Sequence, residues 1–307
     1  MAAPDSRAPD SRALFDRVPS LAGPRLVQEL AGGLTNRNYK VTTPGGEFVA
    51  RVWSGGGELL AIDRDNEYRN SVLAAAAGVG APVIEYRPQD CVLVLGFIPG
   101  RTFTNADVAA DGNIARIAAA CRQLHSGARF AGDFDMFDIQ RGYLSVVTAR
   151  GIRIPRGYEA VAGQFESIRR TLAIRPGPAV PCNNDLLAGN FIDDGDRLWL
   201  IDYEYSGNND PCFELGNIWS ECGLSLDGLA ELVRAYYGRP LRSKIARARL
   251  LGLAAKYGWT LWGAIQEATS PLDYDFWSWA MERFEAAAAQ FAAPGFAALL
   301  AEAAGDD

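Results

Sequence analysis

The segment Cys182-Asn183-Asn184-Asp185-Leu186-Leu187-Ala188-Gly189-Asn190 carries an aspartate with an asparagine five residues on. Shortly after it the chain reads Ile201-Asp202-Tyr203-Glu204-Tyr205. An Asp, an Asn and a second Asp around a short apolar hairpin form the layout of metal-assisted phosphoryl transfer. One carboxylate holds an acceptor hydroxyl in line with a γ-phosphate. A side-chain amide oxygen and the second carboxylate offer hard oxygen ligands to Mg²⁺. Taken singly, Asn-Asp clusters are ordinarily turn or cap residues. The two segments together, at this spacing, argue for chemistry instead.

Four of the seven tryptophans (Trp259, Trp262, Trp277 and Trp279) fall within a short stretch near the C-terminus. Trp259 and Trp262 share one face of a predicted helix. Rings at helical spacing are ordinarily core. The single histidine, His125, weakens any His-based triad or His-rich metal site. The five cysteines (Cys91, Cys121, Cys182, Cys212, Cys222) are odd in number and never spaced C-x-x-C, so a disulfide framework or zinc site is not expected and a reducing cytoplasm is the default.

These residues must be held by something, and the pattern along the chain divides. The first hundred residues are strand-rich: 25–30, 38–43, 47–53, 83–86 and 92–97, with Pro44-Gly45-Gly46 as a hairpin turn. In 47–53, Phe48, Ala50 and Val52 share one face, and Val49 and Arg51 the other. One helix is predicted over 63–77, with an acidic first turn. After residue 100 the pattern is helical (114–124, 168–174, 227–237 with Asp227 as cap, 243–267, 274–291 and the Ala-rich end). The exception is a hairpin of 190–192 with 198–203 around Asp193-Asp194-Gly195-Asp196. Strands followed by helices read as α+β, not as βαβ winding.

The 307 residues carry 30 Lys+Arg against 37 Asp+Glu, a net charge of −7, which argues against a protein that coats nucleic acid. Hydrophobic residues make up 49 %, enough for a sizeable core. No apolar run approaches the roughly 20 residues of a membrane span. The opening MAAPDSRAPDSRALFDR has no apolar stretch of the kind a secretory signal needs, and its APDSRAPDSRA repeat reads as a frayed tail.

NNDLLAGNFI with IDYEYSGNNDPCFELGN resembles the choline/ethanolamine kinase family, nearest to its bacterial choline kinases, within the wider group that includes aminoglycoside phosphotransferases. The resemblance continues in GGLTNRNYKV, FVARV, IDRDNEYRN, LGFIPGRTFT, LHSGARFAGDFDMFD and KYGWTLWGAIQEATSPLDYDFWSWAMERF, across roughly residues 25 to 290. It implies a protein-kinase-like two-lobe fold. A 1–20 tail would precede a small antiparallel β-sheet lobe with one main helix (21–97). A larger, mostly helical lobe with an embedded catalytic hairpin would follow (98–307). It also implies transfer of the γ-phosphate of ATP to a small amino alcohol, with choline expected, and it leaves a homodimer open; the cysteines set the cytoplasm as the expected location and the charge argues against a nucleic-acid partner.

Residue by residue, the resemblance makes Asp185 the base, and Asn190 and Asp202 the Mg²⁺ ligands. Arg51 becomes the strand-borne cation at the ATP phosphates and Glu67 its helix partner. Gly32-Gly33-Leu34-Thr35-Asn36 becomes the loop over those phosphates. Tyr205, Trp259, Trp262, Tyr274 and Trp279 become the walls of an aromatic box, with Glu221 the acidic group near the cation. Phe276 and Trp277 are expected to pack. The family has His-Asn-Asp where this chain has Asn183-Asn184-Asp185. Asn also donates and accepts, so activity is expected to survive with the loop geometry in question. His125 matches a helix end and is expected to be structural. The rivals are another acceptor on the same fold (ethanolamine, thiamine or an aminoglycoside) and a pseudokinase that binds ligand without turnover.

Overall fold

The computed structural model describes residues 11–55 and 57–307. By their contacts the described residues form two compact units, one of 11–55 with 81–99 and one of 57–80 with 100–307.

The first unit is a five-stranded antiparallel sheet of β1 (Leu26–Leu30), β2 (Asn36–Thr43), β3 (Gly46–Trp53), β4 (Val83–Arg87) and β5 (Val92–Gly96), in the order β1-β2-β3-β5-β4. The alternation in β3 sends Ala50 and Val52 into the core, with Phe48 packed against it. A short helix, α1 (Ser11–Asp16), precedes the sheet. Its Leu14 and Phe15, with Val18 and Leu21 just beyond, are buried among Tyr39, Val41, Val92 and Val94. Phe15 meets Tyr39 edge to face at 5.5 Å. The expected tail over 1–20 is therefore corrected from residue 11 onward, since apolar side chains that close one sheet face are core. The first ten residues lie outside the described ones. Replacing Phe15 with Ala is expected to destabilise the protein by about 3–5 kcal/mol, read as a fall in the denaturation midpoint.

The predicted helix 63–77 is α2 (Arg64–Ala76), capped by Asp63, whose carboxylate accepts the Asp65 and Asn66 N–H groups. Expected beside the sheet, it groups with the second unit, because its buried polar face is spent there. Asn66 and Asn70 both donate to the Ser206 carbonyl, at 2.9 and 3.2 Å.

The rest of the second unit is mostly helical: α3 (Asn105–Val108), α4 (Asn113–His125), α5 (Met136–Arg150), α6 (Ala162–Ile174), α7 (Pro211–Cys222), α8 (Leu226–Tyr237), α9 (Arg242–Thr269), α10 (Phe276–Ala292) and α11 (Phe296–Ala303). The cap of α8 is Ser225, whose hydroxyl accepts the Gly228 N–H, and not Asp227. α9, 28 residues long, is buried along most of its length and packs against α5, α7 and α10. A Cβ on Gly216 of α7 would lie 2.0 Å from the Ala248 carbonyl oxygen of α9, so only glycine permits this approach. Among the described residues no single helix is long and apolar enough to cross a membrane.

Short strands complete the unit. β6 (Arg101–Thr102), β8 (Phe191–Asp193) and β9 (Leu198–Leu200) form one sheet, and β7 (Val180–Cys182) pairs with β10 (Gly207–Asn209). The expected hairpin is β8–β9, turned by Asp194, whose carboxylate accepts the Asp196 and Arg197 N–H groups at 2.9 Å. β7 and β10, like α5 and α7, have no clear periodic signature in the sequence.

Candidate active site

Pairing of β7 with β10 lays the 183–190 loop beside the 201–206 segment. The hairpin then fixes their spacing, because Asn190 directly precedes β8 and Asp202 follows β9 by two residues. The Ile201 N–H donates to the Asn190 carbonyl at 3.0 Å. Asn190 Nδ2 donates to the Asp185 carbonyl at 2.7 Å, which commits the amide nitrogen and leaves the amide oxygen as the acceptor end. Asp185, Asn190 and Asp202 are thus brought together.

The side chain of Asn183 answers the question raised by the missing histidine. Its Nδ2 donates to the Ile201 and Asp202 carbonyls at 3.1 and 2.8 Å, and its Oδ1 accepts the Asp185 N–H at 3.0 Å. One amide ties the loop to the Asp202 segment. Asn184 and Asp202 both adopt left-handed backbone, φ +68° and +66°, a conformation Asn and Asp tolerate better than most residues. Asn184 is held in it by Nδ2 donating to the Tyr205 carbonyl at 3.1 Å and by Asn209 donating to its Oδ1 at 2.9 Å.

Glu214 of α7 was not anticipated. It is wholly buried, and its two carboxylate oxygens accept the Asn183 and Asn184 N–H groups at 2.8 and 2.7 Å. His125 closes α4 behind it. Its Nδ1 bonds the Tyr236 hydroxyl at 2.8 Å, and its Nε2 lies 3.6 Å from both Glu214 and Cys182 Sγ. Both Glu214 oxygens are already engaged by backbone, so this group is a support for the loop.

Burial, reinforced by Asp202, Glu204 and Glu221, pushes the Asp185 carboxyl well above the usual carboxylate range, and Arg283 opposes the shift. Carboxylates crowded this way, with an amide oxygen beside them, are a donor set that a divalent cation would relieve. Behind them Arg64 bridges Glu67 at 2.7 Å and Glu204 at 3.2 Å, all three largely buried. Glu67, expected to orient Arg51, has an ion-pair partner in Arg64, which nothing in the local sequence marks.

The aromatic residues assemble across three elements. Trp262 Nε1 donates to the Tyr205 hydroxyl at 2.8 Å, Tyr205 meets Trp259 edge to face at 4.9 Å, and Trp262 lies 5.0 Å from Trp279. The Tyr205 carbonyl accepts from Asn184 Nδ2 at 3.1 Å, which ties the cluster to the loop that carries Asp185. Tyr274 is 44 % exposed and packs on Phe276 at 4.8 Å, at the margin of the group. Phe276 is buried, and Trp277 carries the Arg153 guanidinium 3.6 Å from its ring centroid. Glu221 is ion-paired with Arg283.

In the first unit, Gly32 to Thr35 link β1 to β2, and Asn36 opens β2. Gly32 has φ +104°, and a Cβ on Gly33 would lie 2.1 Å from the Asn36 carbonyl oxygen. Both positions therefore require glycine, and the turn exposes backbone that a phosphate could approach. Arg51 sits on β3 in register with Asn38 and Leu93, and is 5 % exposed.

An antiparallel sheet unit, a helical unit, and a hairpin flanked by an Asp–Asn–Asp set define a protein-kinase-like phosphotransferase. The model of the "Phosphotransferase enzyme family" matches residues 26–252. A choline/ethanolamine kinase family protein from Mesorhizobium loti superposes with a TM-score of 0.83 at 33 % identity, over 96 % of this chain and 98 % of that one. Choline kinase LicA from Streptococcus pneumoniae superposes with a TM-score of 0.79 at 25 % identity, over 92 % and 98 %. In sequence, protein LicA of Haemophilus influenzae is 28 % identical over 272 residues, 83 % of this chain and 77 % of its own. The chain belongs to the phosphotransferase enzyme family and, within it, to the choline/ethanolamine kinases.

Proposed function

We propose that the chain is an ATP-dependent choline kinase that transfers the γ-phosphate to the choline hydroxyl to give phosphocholine. The observation that carries this is the packing of Tyr205, Trp259 and Trp262 on one another, with Tyr205 tied by hydrogen bond to the loop that carries Asp185. Aromatic faces attract a trimethylammonium by about 0.5–2 kcal/mol per ring, and they set its hydroxyl near a base. Asp185 orients that hydroxyl and accepts its proton. A raised affinity for the proton, caused by burial and by its carboxylate neighbours, suits a base. Asn190 and Asp202 would hold Mg²⁺, which supplies charge neutralisation at the β- and γ-phosphate oxygens. Arg51 adds fixed positive charge on the phosphate side, and the Gly32–Asn36 turn offers backbone N–H groups. The rate gain on this reading is positioning and electrostatics.

Ethanolamine is the second reading, favoured by one observation. Glu221 Oε1 is buried without a hydrogen-bond partner among the described residues, and a primary ammonium could donate to it. The hydrogen bonds of Asn183 to the Asp202 carbonyl and from the Asp185 N–H support an active kinase over a pseudokinase. The test is an ADP-release assay with choline, ethanolamine and thiamine, with and without Mg²⁺. We expect choline to have the highest kcat/KM and chelation to stop turnover. A higher kcat/KM for ethanolamine selects the second reading. Ligand binding without ADP release on any alcohol selects a binding module.

A further inference from the structure

The Arg283 guanidinium of α10 lies over the Trp279 ring, 3.3 Å from its centroid, and is ion-paired with Glu221 of α7. Both side chains are largely buried, at 12 % and 5 % exposure. Its Nη1 also reaches the Trp279 carbonyl at 3.4 Å. Glu221 and Trp279, two groups assigned above to the acceptor cation, are therefore already serving a cation that belongs to the chain. A second cation stands nearby, for Lys256 of α9 donates to the Ser220 carbonyl at 3.0 Å and feels both Glu221 and Arg283. Lys256 feels Glu282 as well, so the cation in direct contact with Glu221 is Arg283.

We infer that Arg283 is a specificity-determining residue of the acceptor site: as a resident counter-ion it neutralises Glu221 and covers one face of Trp279, so that the site selects a quaternary over a primary ammonium. This rests on the proposed reading of Tyr205, Trp259 and Trp262 as the acceptor's walls. A primary ammonium gives up strong hydrogen bonds to water on entry, and each lost bond must be replaced. Here its three N–H groups meet rings and one carboxylate oxygen from a neutralised pair. A trimethylammonium has no such bonds to lose and gains the ring faces. Without Arg283, Glu221 would lose its direct ion-pair partner, and the cation able to donate to it would gain most.

The test measures two ratios in the full-length protein. One is kcat/KM for choline over ethanolamine. The other, independent of turnover, is the calorimetric affinity for tetramethylammonium over methylammonium. In Arg283→Gln both ratios are expected to fall about tenfold or more, the scale of a hydrogen bond to a charged group. Arg283→Lys, which keeps the charge, should stay near the parent ratios. The double variant Arg283→Gln/Glu221→Gln removes both charges and should return the ratios toward the parent, which loss of packing alone would not do. Glu221→Gln alone leaves Arg283 uncompensated and should weaken both ions, and the double variant should restore them. That contrast carries the test if Arg283→Gln does not fold.

Ratios that stay at parent values in Arg283→Gln overturn the inference, as does a double variant no better than Glu221→Gln. If the parent turns over neither alcohol while the binding ratios shift as described, the choline kinase reading fails and the role of Arg283 stands. If choline is turned over and the ratios do not move, the reverse holds.

Discussion

Replacing Asp185 with Asn is expected to cut kcat by about 10²–10⁴-fold, the usual contribution of a positioned general base. ATP affinity should change little, because the proposed reading gives the phosphates to Arg51 and the Gly32–Asn36 turn, which the substitution leaves intact. The amide is nearly isosteric, and the Asp185 N–H bond to Asn183 and the carbonyl bond from Asn190 are made by backbone, so the loop is kept. The same variant should be at least as stable as the parent. Burial, Asp202, Glu204 and Glu221 all disfavour a charged carboxyl at this position, and a neutral amide relieves that conflict. Lower activity with an unchanged or higher denaturation midpoint is the signature of a site that gives up stability for function. Single-turnover kinetics and thermal denaturation on the same preparation would read both. Parent-like turnover would remove Asp185 from the role of base.

The second large effect is expected at Glu214, which touches no reactant. Glu214→Ala leaves the Asn183 and Asn184 N–H groups buried without an acceptor, at about 1–3 kcal/mol each. The left-handed turn at Asn184 then loses one of its supports. We expect a lower denaturation midpoint together with a fall in kcat, because the loop that carries Asp185 is no longer held against α7. Glu214→Gln should be intermediate. Its oxygen still accepts one N–H, while its NH₂ group faces the other, donor against donor. A Glu214→Ala protein with parent kcat would show that the β7–β10 pairing alone positions the loop.

The two variants differ in how visible their targets are in the sequence. Asp185 and Asn190 are five residues apart, and Asp202 follows across a short apolar hairpin, so the chain itself displays the set. The β3 alternation and the 114–124 periodicity are legible for the same reason, since a strand or helix face repeats over neighbouring residues. Glu214 is one acidic residue in an apolar run, with nothing local to mark it. Its partners lie about thirty residues upstream, brought near by the packing of α7. Arg64 likewise reads as one more charge in DRDNEYRN, although it bridges Glu67 to a glutamate 140 residues away. α1 is hidden in the sequence by the compositional repeat at its start, because the burial of Leu14 and Phe15, and of Val18 just beyond it, depends on a sheet face formed later in the chain.

By itself the sequence determined the α+β class, the hairpin, the candidate Asp–Asn–Asp set and the resemblance to the choline/ethanolamine kinases, all of which are written in short-range spacing and residue type. Tertiary structure alone decided which charge meets which. Asn183 takes up the hydrogen bonds that bind the loop to the Asp202 segment, Glu214 clamps that loop from below, and Arg283 occupies the carboxylate and the ring assigned to the substrate's cation. Ion pairs and hydrogen bonds between distant residues leave no periodic trace in a chain. They exist only where packing removes water and forces each buried charge to find a partner.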